Sequence, residues 1–488
     1  MTPEENRLFR IALAIIATIT AIRVAVLVFT PLNLYPDEAQ YWWWAQTPAF
    51  GYFSKPPMIA WTIWATTHLF GDAEWAIRLS SPLLHAATAL FVFGIARRLA
   101  NARIALLSAL AYLTTPGVSY SSCIVSTDVP LLLFWAASLY GFVRAMGDPR
   151  WRWALITGIA FGLGLEAKYA MFYFVLCAGV AAIVLPDARR IVVSLRGLAV
   201  LVIGLLILLP NVLWNAAHHF PTVAHTESNA DWGHAHYSVL NLLGFVGGQF
   251  GVFGPLLMAG FVWAIWNLAR GQTRDRGRLL LTSFCVPPLI LIVIQSFISE
   301  ANANWAATAY VAATPLAVIA LDQLWQRRII WASFAIDGVV MVALWIVLIS
   351  PSAADRMGQG NAFKRMEGWD ALGRAVVHES QSSQYDTIAA ANRSVMAELL
   401  YYARPRSASV RMWDIDLHDD DHFQMTMRLT APVRRTLMVL MPDEAPSVSK
   451  TFDSFSLLKR IDTPIGGMHH RIIVLYDAMN YRGPQSSH

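Results

Sequence analysis

The first polar segment of the chain carries two adjacent carboxylates in front of a cluster of aromatic residues. Asp37 and Glu38 follow a long apolar segment and precede the run Tyr41-Trp-Trp-Trp44. A carboxylate at the end of a membrane-spanning segment is costly unless it is paired or used. Such a group could act as a general base toward a hydroxyl. The alternative is that Asp37 caps an interfacial helix whose Trp side chains lie at the level of the lipid headgroups.

A lysine lies further along the same polar segment. Lys55 is the first lysine of the chain and precedes Pro56 and Pro57, which restrict the backbone beside it. An ammonium group fixed near carboxylates could bind a phosphate. The alternative is an ion pair between Lys55 and one of the two carboxylates. Tyr52, in the same motif, is a candidate for contact with a substrate.

Two further motifs place charged residues at the ends of apolar segments. Asp128 stands in Ser126–Pro130, where it could cap a helix or act as a second carboxylate of the same site. Lys168 and Tyr169 lie at a break in a long apolar stretch, with Glu166 nearby. Lys168 could be a second phosphate ligand, or it could form an ion pair with Glu166.

The segment Ser299–Trp305 offers carboxylate, amide and indole groups. Glu300, Asn304 and Trp305 could contact a sugar, and helix capping with interfacial aromatic residues is the alternative. The His-rich loop 214–239 could bind a metal, whereas Asp414–His422 lacks the Gly and the spacing of a calcium loop. No metal ligand is therefore assigned, and a divalent ion is left open as a cofactor.

Composition places these residues in a polytopic membrane protein. Hydrophobic residues make up 56% of the 488 residues, charged residues only 14%, and the mean hydropathy is +0.45. Soluble domains carry roughly a quarter charged residues, so an ordinary soluble enzyme and a disordered protein are both excluded. The net charge of +5 is attributed to basic loops that orient the chain in the membrane, and no nucleic-acid partner is predicted.

Eleven apolar segments are candidates for crossing the bilayer. They lie near residues 9–30, 76–96, 104–120, 127–146, 153–167, 169–186, 191–213, 240–268, 279–298, 305–322 and 329–349. Residues 153–186 are interpreted as two short helices, because this assignment places most arginines of the membrane region at cytoplasmic ends. The loops 31–75 and 214–239 and everything after residue 350 then lie on the periplasmic side.

Residues 351–488 change in character and are predicted to form a small soluble α/β domain. Helical and strand-like patterns alternate in this region: the helical ones lie around Trp369–His378 and Val395–Ala403, and the strand-like ones at Val410–Ile415, Thr436–Met441 and Arg471–Tyr476. The predicted fold is an all-α polytopic membrane domain of about eleven spans over residues 1–350, followed by this periplasmic domain.

Together the motifs resemble the GT-C glycosyltransferases that use a polyprenyl-phosphate sugar. This protein O-mannosyltransferase-like superfamily includes aminoarabinose and galacturonic acid transferases that act on lipopolysaccharide. The resemblance runs from about Leu8 to Ile349. It rests on the motifs Tyr35-Pro-Asp-Glu-Ala-Gln-Tyr-Trp42, Gly51-Tyr-Phe-Ser-Lys-Pro-Pro-Met-Ile-Ala-Trp61, Ser126-Thr-Asp-Val-Pro130, Ala167-Lys-Tyr169 and Ala303-Asn-Trp305.

The resemblance implies inverting transfer of a sugar from a polyprenyl phosphate to lipid A or lipopolysaccharide core, on the periplasmic side of the bacterial inner membrane. Asp37 would be the general base or would orient the acceptor, with support from Glu38, and Lys55 would hold the lipid phosphate. Asp128 matches a second carboxylate of the family, and Lys168 matches a recurrent basic position. The expected partners are the lipid-linked donor, a lipid or glycan acceptor and membrane lipids, and the expected state is a monomer.

One departure from the family and one rival function bear on this interpretation. Aminoarabinose transferases carry Glu, a metal ligand, directly before the Lys of the Lys-Pro motif, where this chain has Ser54. The rival is a transporter or flippase of lipid-linked sugars, which would place ionisable residues inside its spans. Asp337 is the one carboxylate well inside a predicted span, so the enzyme is favoured. A non-catalytic scaffold would tolerate Asp37→Asn.

Overall fold

The chain folds into two compact units, each built from separate stretches of sequence. This computed structural model describes residues 2–231, 233, 237–272, 275–324, 328–356, 358, 360–405 and 409–483. The first unit comprises Met1–Val28, Lys55–Thr62 and Arg78–Trp345, and the second comprises Phe29–Ser54, Ile63–Ile77 and Ile346–His488. The polar segment that carries Asp37 is therefore grouped with the C-terminal residues.

Helices account for most of the described residues. Up to the last apolar segment they are α1 Pro3–Phe29, α2 Pro36–Gln46, α3 Met58–Phe70, α4 Glu74–Arg78, α5 Ser80–Leu99, α6 Ala102–Thr114, α7 Pro116–Ser121, α8 Asp128–Gly147, α9 Trp151–Ala167, α10 Tyr173–Val184, α11 Pro186–Val192, α12 Leu195–Ala217, α13 Pro221–Ala230, α14 Val239–Phe253, α15 Pro255–Ala269, α16 Arg276–Ile298, α17 Ala307–Gln323 and α18 Arg328–Ile349. They are followed by α19 Pro351–Arg356, α20 Trp369–Ser382, α21 Arg393–Tyr402, α22 His422–Met427 and α23 Ala445–Val448.

Seven helical segments of the described chain are long and apolar enough to cross a membrane. They are Pro3–Phe29, Glu74–Leu99, Asp128–Gly147, Leu195–Ala217, Arg276–Ile298, Ala303–Gln323 and Arg328–Ile349. The pair α14 and α15 also passes as one bent span, and the shorter apolar helices are Ala102–Thr114 and Tyr169–Val184. The chain is therefore a multi-pass membrane protein, and the number of eleven spans stays a prediction.

The stretch 153–186 contains two helices, as the sequence predicted. α9 ends at Ala167, Lys168 is extended, and a short 3-10 turn over Tyr169–Phe172 leads into α10. Aromatic side chains fix this break against neighbouring helices: the ring of Phe174 lies 5.5 Å from Trp135 on α8 and 5.0 Å from Phe284 on α16, measured between ring centroids. Packing of this kind holds the backbone at Lys168 in one place.

A second break divides the apolar segment 240–268. The hydropathy of this segment gives no sign of a bend. α14 and α15 meet at 111°, because Gly254 adopts a positive φ of +92° and Pro255 starts the next helix. The carboxylate of Asp337, on α18 and 1% exposed, occupies the space beside Gly254. A Cβ atom at position 254 would lie 2.6 Å from Oδ1 of Asp337.

The second unit contains a five-stranded mixed sheet. The strands are β1 Thr387–Ala390, β2 Ser409–Met412, β3 Val433–Leu440, β4 Phe452–Pro464 and β5 His470–Tyr481, and their order is β2-β1-β3-β5-β4. β1 is parallel to β2 and β3, whereas β5 is antiparallel to β3 and β4. The predicted α/β character is confirmed, with three strands and two helices near their predicted positions.

Candidate functional site

Asp128, Lys168 and Asn304 form one polar cluster in the first unit. Nζ of Lys168 lies 2.7 Å from Oδ1 of Asp128, and Nδ2 of Asn304 donates a hydrogen bond of 2.6 Å to Oδ2. The side chain of Asp128 is 12% exposed and that of Lys168 is 24% exposed. The fold thus joins three predicted site residues that are 40 and 176 positions apart in sequence.

The cluster bears on the structural alternatives left open for Asp128 and Lys168. Both oxygens of Asp128, the first residue of α8, are engaged by Lys168 and Asn304, so the carboxylate does more than cap a helix. The alternative of an ion pair between Lys168 and Glu166 is wrong, because Lys168 pairs with Asp128. Glu166 is buried, and its Oε2 has no hydrogen-bond partner within the described part of the chain.

Tyr169, at the break between α9 and α10, forms hydrogen bonds with two residues of α12. Its hydroxyl donates to Oδ1 of Asn211 over 2.6 Å and accepts from Nδ2 of Asn215 over 3.4 Å. Asn211 and Asn215 lie one turn apart on α12 and are buried. Because buried amides need hydrogen-bond partners, this arrangement fixes the orientation of the Tyr169 ring beside Lys168.

The remaining predicted residues of the first unit lie in different surroundings. Glu300 is exposed, and Trp305 packs in the 3-10 turn Ala303–Ala306 with Phe245 and Ile292. Lys55 is half-buried in the bend that leads into α3. Lys55 thus keeps access to solvent on a segment whose backbone is restricted by the two following prolines.

In the second unit, the side chain that accepts a backbone hydrogen bond at the start of α2 is that of Glu38, not that of Asp37. Oε2 of Glu38 accepts the backbone N–H of Tyr35 over 2.9 Å, and Glu38 is 1% exposed. Tyr35 occupies the N-cap position, so the alternative in which Asp37 caps this helix is wrong. The buried Glu38 carboxylate stabilises the helix and leaves Asp37 available for another contact.

That contact is an ion pair with Arg393, the first residue of α21. Nη2 of Arg393 lies 2.9 Å from Oδ1 of Asp37, and Nη1 donates to Oε1 of Gln40 over 2.7 Å. Burial acts to lower the pKa of Arg393, but the charge and hydrogen bond of Asp37 outweigh it, and the pKa is raised above its ordinary value. No local sequence pattern marks Arg393, because its partners are 353 and 356 positions away.

Tyr52 is enclosed by aromatic residues of its own unit. Its ring stacks on Trp44 with 4.5 Å between centroids, and its hydroxyl donates to the backbone oxygen of Trp44 over 3.0 Å. His422 contacts both rings edge-on at 5.2 and 5.8 Å. Tyr52 is 3% exposed, so it orders the segment that joins α2 to Lys55.

The described residues contain no group of three or more His, Cys, Asp or Glu side chains arranged to hold a metal ion. Two histidines of the His-rich loop, His234 and His236, lie outside the described residues. In the acidic segment 414–422, Nη2 of Arg428 lies 2.8 Å from both Oδ2 of Asp414 and Oδ1 of Asp419. A cation supplied by the chain itself therefore pairs with two of the five carboxylates of this segment.

Comparisons with known proteins match the resemblance seen in the motifs. The family model for dolichyl-phosphate-mannose-protein mannosyltransferases matches residues 54–214, a range that includes Lys55, Asp128 and Lys168. The chain is 35% identical over 400 residues to the lipid A galacturonosyltransferase RgtD of Rhizobium johnstonii, covering 82% of this chain and 84% of that protein. It is 32% identical over 220 residues to the lipopolysaccharide core galacturonosyltransferase RgtA of the same organism, covering 44% and 43%.

The fold also matches a solved structure over nearly its full length. ArnT from Cupriavidus metallidurans, bound to undecaprenyl phosphate, superposes with a TM-score of 0.64 at 18% identity and covers 95% of this chain and 98% of that one. The motif resemblance is thereby confirmed at the level of both sequence and fold. With this agreement, the chain belongs to the GT-C glycosyltransferases of the protein O-mannosyltransferase-like superfamily, in the family of the lipid A galacturonosyltransferase.

Proposed function

We propose that this glycosyltransferase moves galacturonic acid from a polyprenyl phosphate to lipid A. The observation that carries the proposal is the 35% identity to a lipid A galacturonosyltransferase over 82% of the chain. The partial match to a lipopolysaccharide core galacturonosyltransferase makes the core the second candidate acceptor. The undecaprenyl phosphate bound to ArnT supports a lipid-linked donor.

The proposed reaction is a direct displacement at the anomeric carbon of the sugar. Asp37 accepts the proton of the acceptor hydroxyl, whose oxygen forms a bond to the anomeric carbon. The bond from that carbon to the phosphate oxygen breaks, the anomeric configuration inverts, and the polyprenyl phosphate leaves with the electron pair. Lys55 stabilises the negative charge that develops on this phosphate.

The other predicted residues support these two. Lys168 is held by Asp128, whose other oxygen accepts a hydrogen bond from Asn304, but is still 24% exposed, so we assign it a secondary contact with the donor phosphate. Tyr169, Glu300 and Trp305 are proposed to contact the sugar or the acceptor.

We further propose the cellular arrangement expected for this family. The chain lies in the bacterial inner membrane as a monomer, with its active site on the periplasmic face. Residues 1–350 form the catalytic membrane domain, and residues 351–488 form a periplasmic domain. A lipid-linked donor suits that location, because nucleotide sugars are normally absent from the periplasm.

Mass spectrometry of lipid A and core from a deletion strain tests the function. We expect the galacturonic acid substituent to disappear on deletion and to return with wild type, but not with Asp37→Asn at matched expression. Asp370→Asn is the control, because Asp370 lies on the surface and pairs with Arg374 at 2.7 Å. Unchanged lipid A and core after deletion would exclude both acceptors, and full rescue by Asp37→Asn would exclude the assigned base.

Purified protein separates the transferase from a flippase. Full-length protein in detergent, given a polyprenyl phosphate galacturonic acid and lipid A, should form the glycosylated product without any membrane partition. A flippase would yield no product in this assay.

A further inference from the structure

Arg393 bridges two side chains that lie on one face of α2. Asp37 and Gln40 are three positions apart in this helix, a spacing that brings side chains together on a helical surface. The guanidinium contacts Asp37 through Nη2 and Gln40 through Nη1. Since the guanidinium is planar and its donors are fixed relative to one another, two contacts restrict both its position and the direction from which it meets the carboxylate.

The helix that carries Arg393 is itself held firmly within the second unit. Oδ1 of Asn392 accepts the backbone N–H of Ser394 over 2.8 Å and so caps α21. At the other end of α21, Tyr401 donates to the backbone oxygen of Asp72 over 2.7 Å and meets the ring of Trp42 edge-on at 5.0 Å. Arg393 at its first turn and Tyr401 at its last turn therefore both connect α21 to α2, which carries Trp42.

The arrangement leaves part of the Asp37 carboxylate free for chemistry. Among the described residues, the hydrogen bond recorded for this carboxylate is the one from Arg393 to Oδ1. The Asp37 side chain is 38% exposed, so Oδ2 can meet a hydroxyl group. A base held on one side by an orienting group and open on the other is the arrangement that catalytic bases commonly have.

We infer that Arg393 is a positioning residue, which holds Asp37 so that Oδ2 faces the hydroxyl of the acceptor. This inference rests on the proposed role of Asp37 as the base. The C-terminal part of the chain thereby contributes directly to the geometry of the reaction. Lysine at this position would keep the positive charge but lose the fixed, planar arrangement of donors.

Steady-state kinetics of full-length protein in detergent test the inference. For Arg393→Met we expect kcat to fall about 10- to 100-fold, the range for a misplaced catalytic group, with the KM for the acceptor nearly unchanged. Arg393→Lys should recover part of kcat. Arg374→Met is the matched control, since Arg374 forms an exposed ion pair with Asp370 in the same unit, and its kcat should equal that of wild type.

A double variant shows whether Arg393 acts through Asp37. In Asp37→Asn protein the base is already lost, so adding Arg393→Met should lower kcat no further. An equal loss in both backgrounds, or a wild-type kcat for Arg393→Met, would overturn the inference even if Asp37→Asn is inactive. An active Asp37→Asn enzyme would instead refute the proposed base.

Gln40→Met keeps the inference testable if Arg393→Met protein does not fold. This change removes one contact of the guanidinium and leaves its charge in place. We expect kcat to fall about 2- to 5-fold, as for the loss of one hydrogen bond, and an unchanged kcat would contradict the bridging role.

Discussion

The two candidate carboxylates, Asp37 in the second unit and Asp128 in the first, differ in how the protein holds them. Asp128 is engaged through both oxygens, by Lys168 and Asn304, whereas Asp37 is contacted through Oδ1 by Arg393. A carboxylate with both oxygens engaged is poorly placed to accept a proton, and one with a free oxygen is well placed. This difference supports Asp37 as the base and Asp128 as the residue that fixes Lys168.

His422 predicts a pH dependence of stability. Burial lowers its pKa to about 4, and Nδ1 has no hydrogen-bond partner within the described chain. In the unfolded chain His422 has a pKa of about 6.5 and binds a proton below that pH, whereas folded His422 stays neutral down to about pH 4. Because the unfolded state binds more protons in this range, stability falls as the pH drops from about 6.5 toward 4. The loss contributed by this residue is about 2 kcal/mol at pH 5.

Thermal unfolding of the full-length protein at pH 7.5 and pH 5 measures this effect. The drop in melting temperature on acidification should be smaller in His422→Phe than in wild type. His378→Phe is the control, because His378 is exposed on α20, and it should keep the wild-type drop. Equal drops in wild type and His422→Phe would show that His422 does not titrate on unfolding.

At this scale the sequence points to candidate residues for the chemistry but not to how they pair. Asp37, Lys55, Asp128 and Lys168 stand in motifs with local signals, such as a carboxylate after an apolar segment. Their partners come from distant sequence, for example Arg393 for Asp37, and no pattern within a short window encodes such a pair.

At the scale of elements, the break at Gly254 predicts that adding a single methyl group at this position lowers the stability of the protein. Ala at this position would have an unfavourable positive φ, and its Cβ would meet Asp337 at 2.6 Å. We expect Gly254→Ala to lower the free energy of unfolding by about 1–3 kcal/mol. Gly251→Ala, on α14 and with no atom within 4 Å of the added Cβ, should be neutral or slightly stabilising.

Melting temperatures of the purified variants, compared under one detergent condition, give the measurement. Equal melting temperatures for Gly254→Ala and Gly251→Ala would show that the helix break depends neither on the glycine nor on its contact with Asp337.

Elements were predictable where their pattern was strong. The break between α9 and α10 followed from the distribution of arginines, because one long span would have placed Arg189 and Arg190 on the opposite side. β4 was missed because most of its side chains are exposed, so it lacks the alternation of a half-buried strand. β1 was missed because it is a four-residue strand buried at every position, which gives no periodic signal.

At the scale of the whole molecule, composition alone predicts a membrane protein, and cysteine labelling tests its proposed orientation. The three native cysteines are all buried, so they give little background in labelling. Ser447 on α23 and Gln272 after α15 are exposed. In spheroplasts we expect a membrane-impermeant maleimide to label Ser447→Cys, and to label Gln272→Cys only after lysis.

Labelling of both variants in lysed membranes controls for reactivity. The reverse pattern in intact spheroplasts would invert the proposed topology and place the second unit in the cytoplasm.

The contact between α2 and α21 also constrains how the protein is made. Asp37 and Arg393 are 356 positions apart, so at about 5–20 residues per second the ribosome needs roughly 20 to 70 s to connect them. During that interval α2 has been synthesised, but its partner helix does not yet exist. Newly made chains therefore pass through a stage in which the aromatic face of α2 is uncovered, and chaperones or proteases that survey unfinished proteins can act on it.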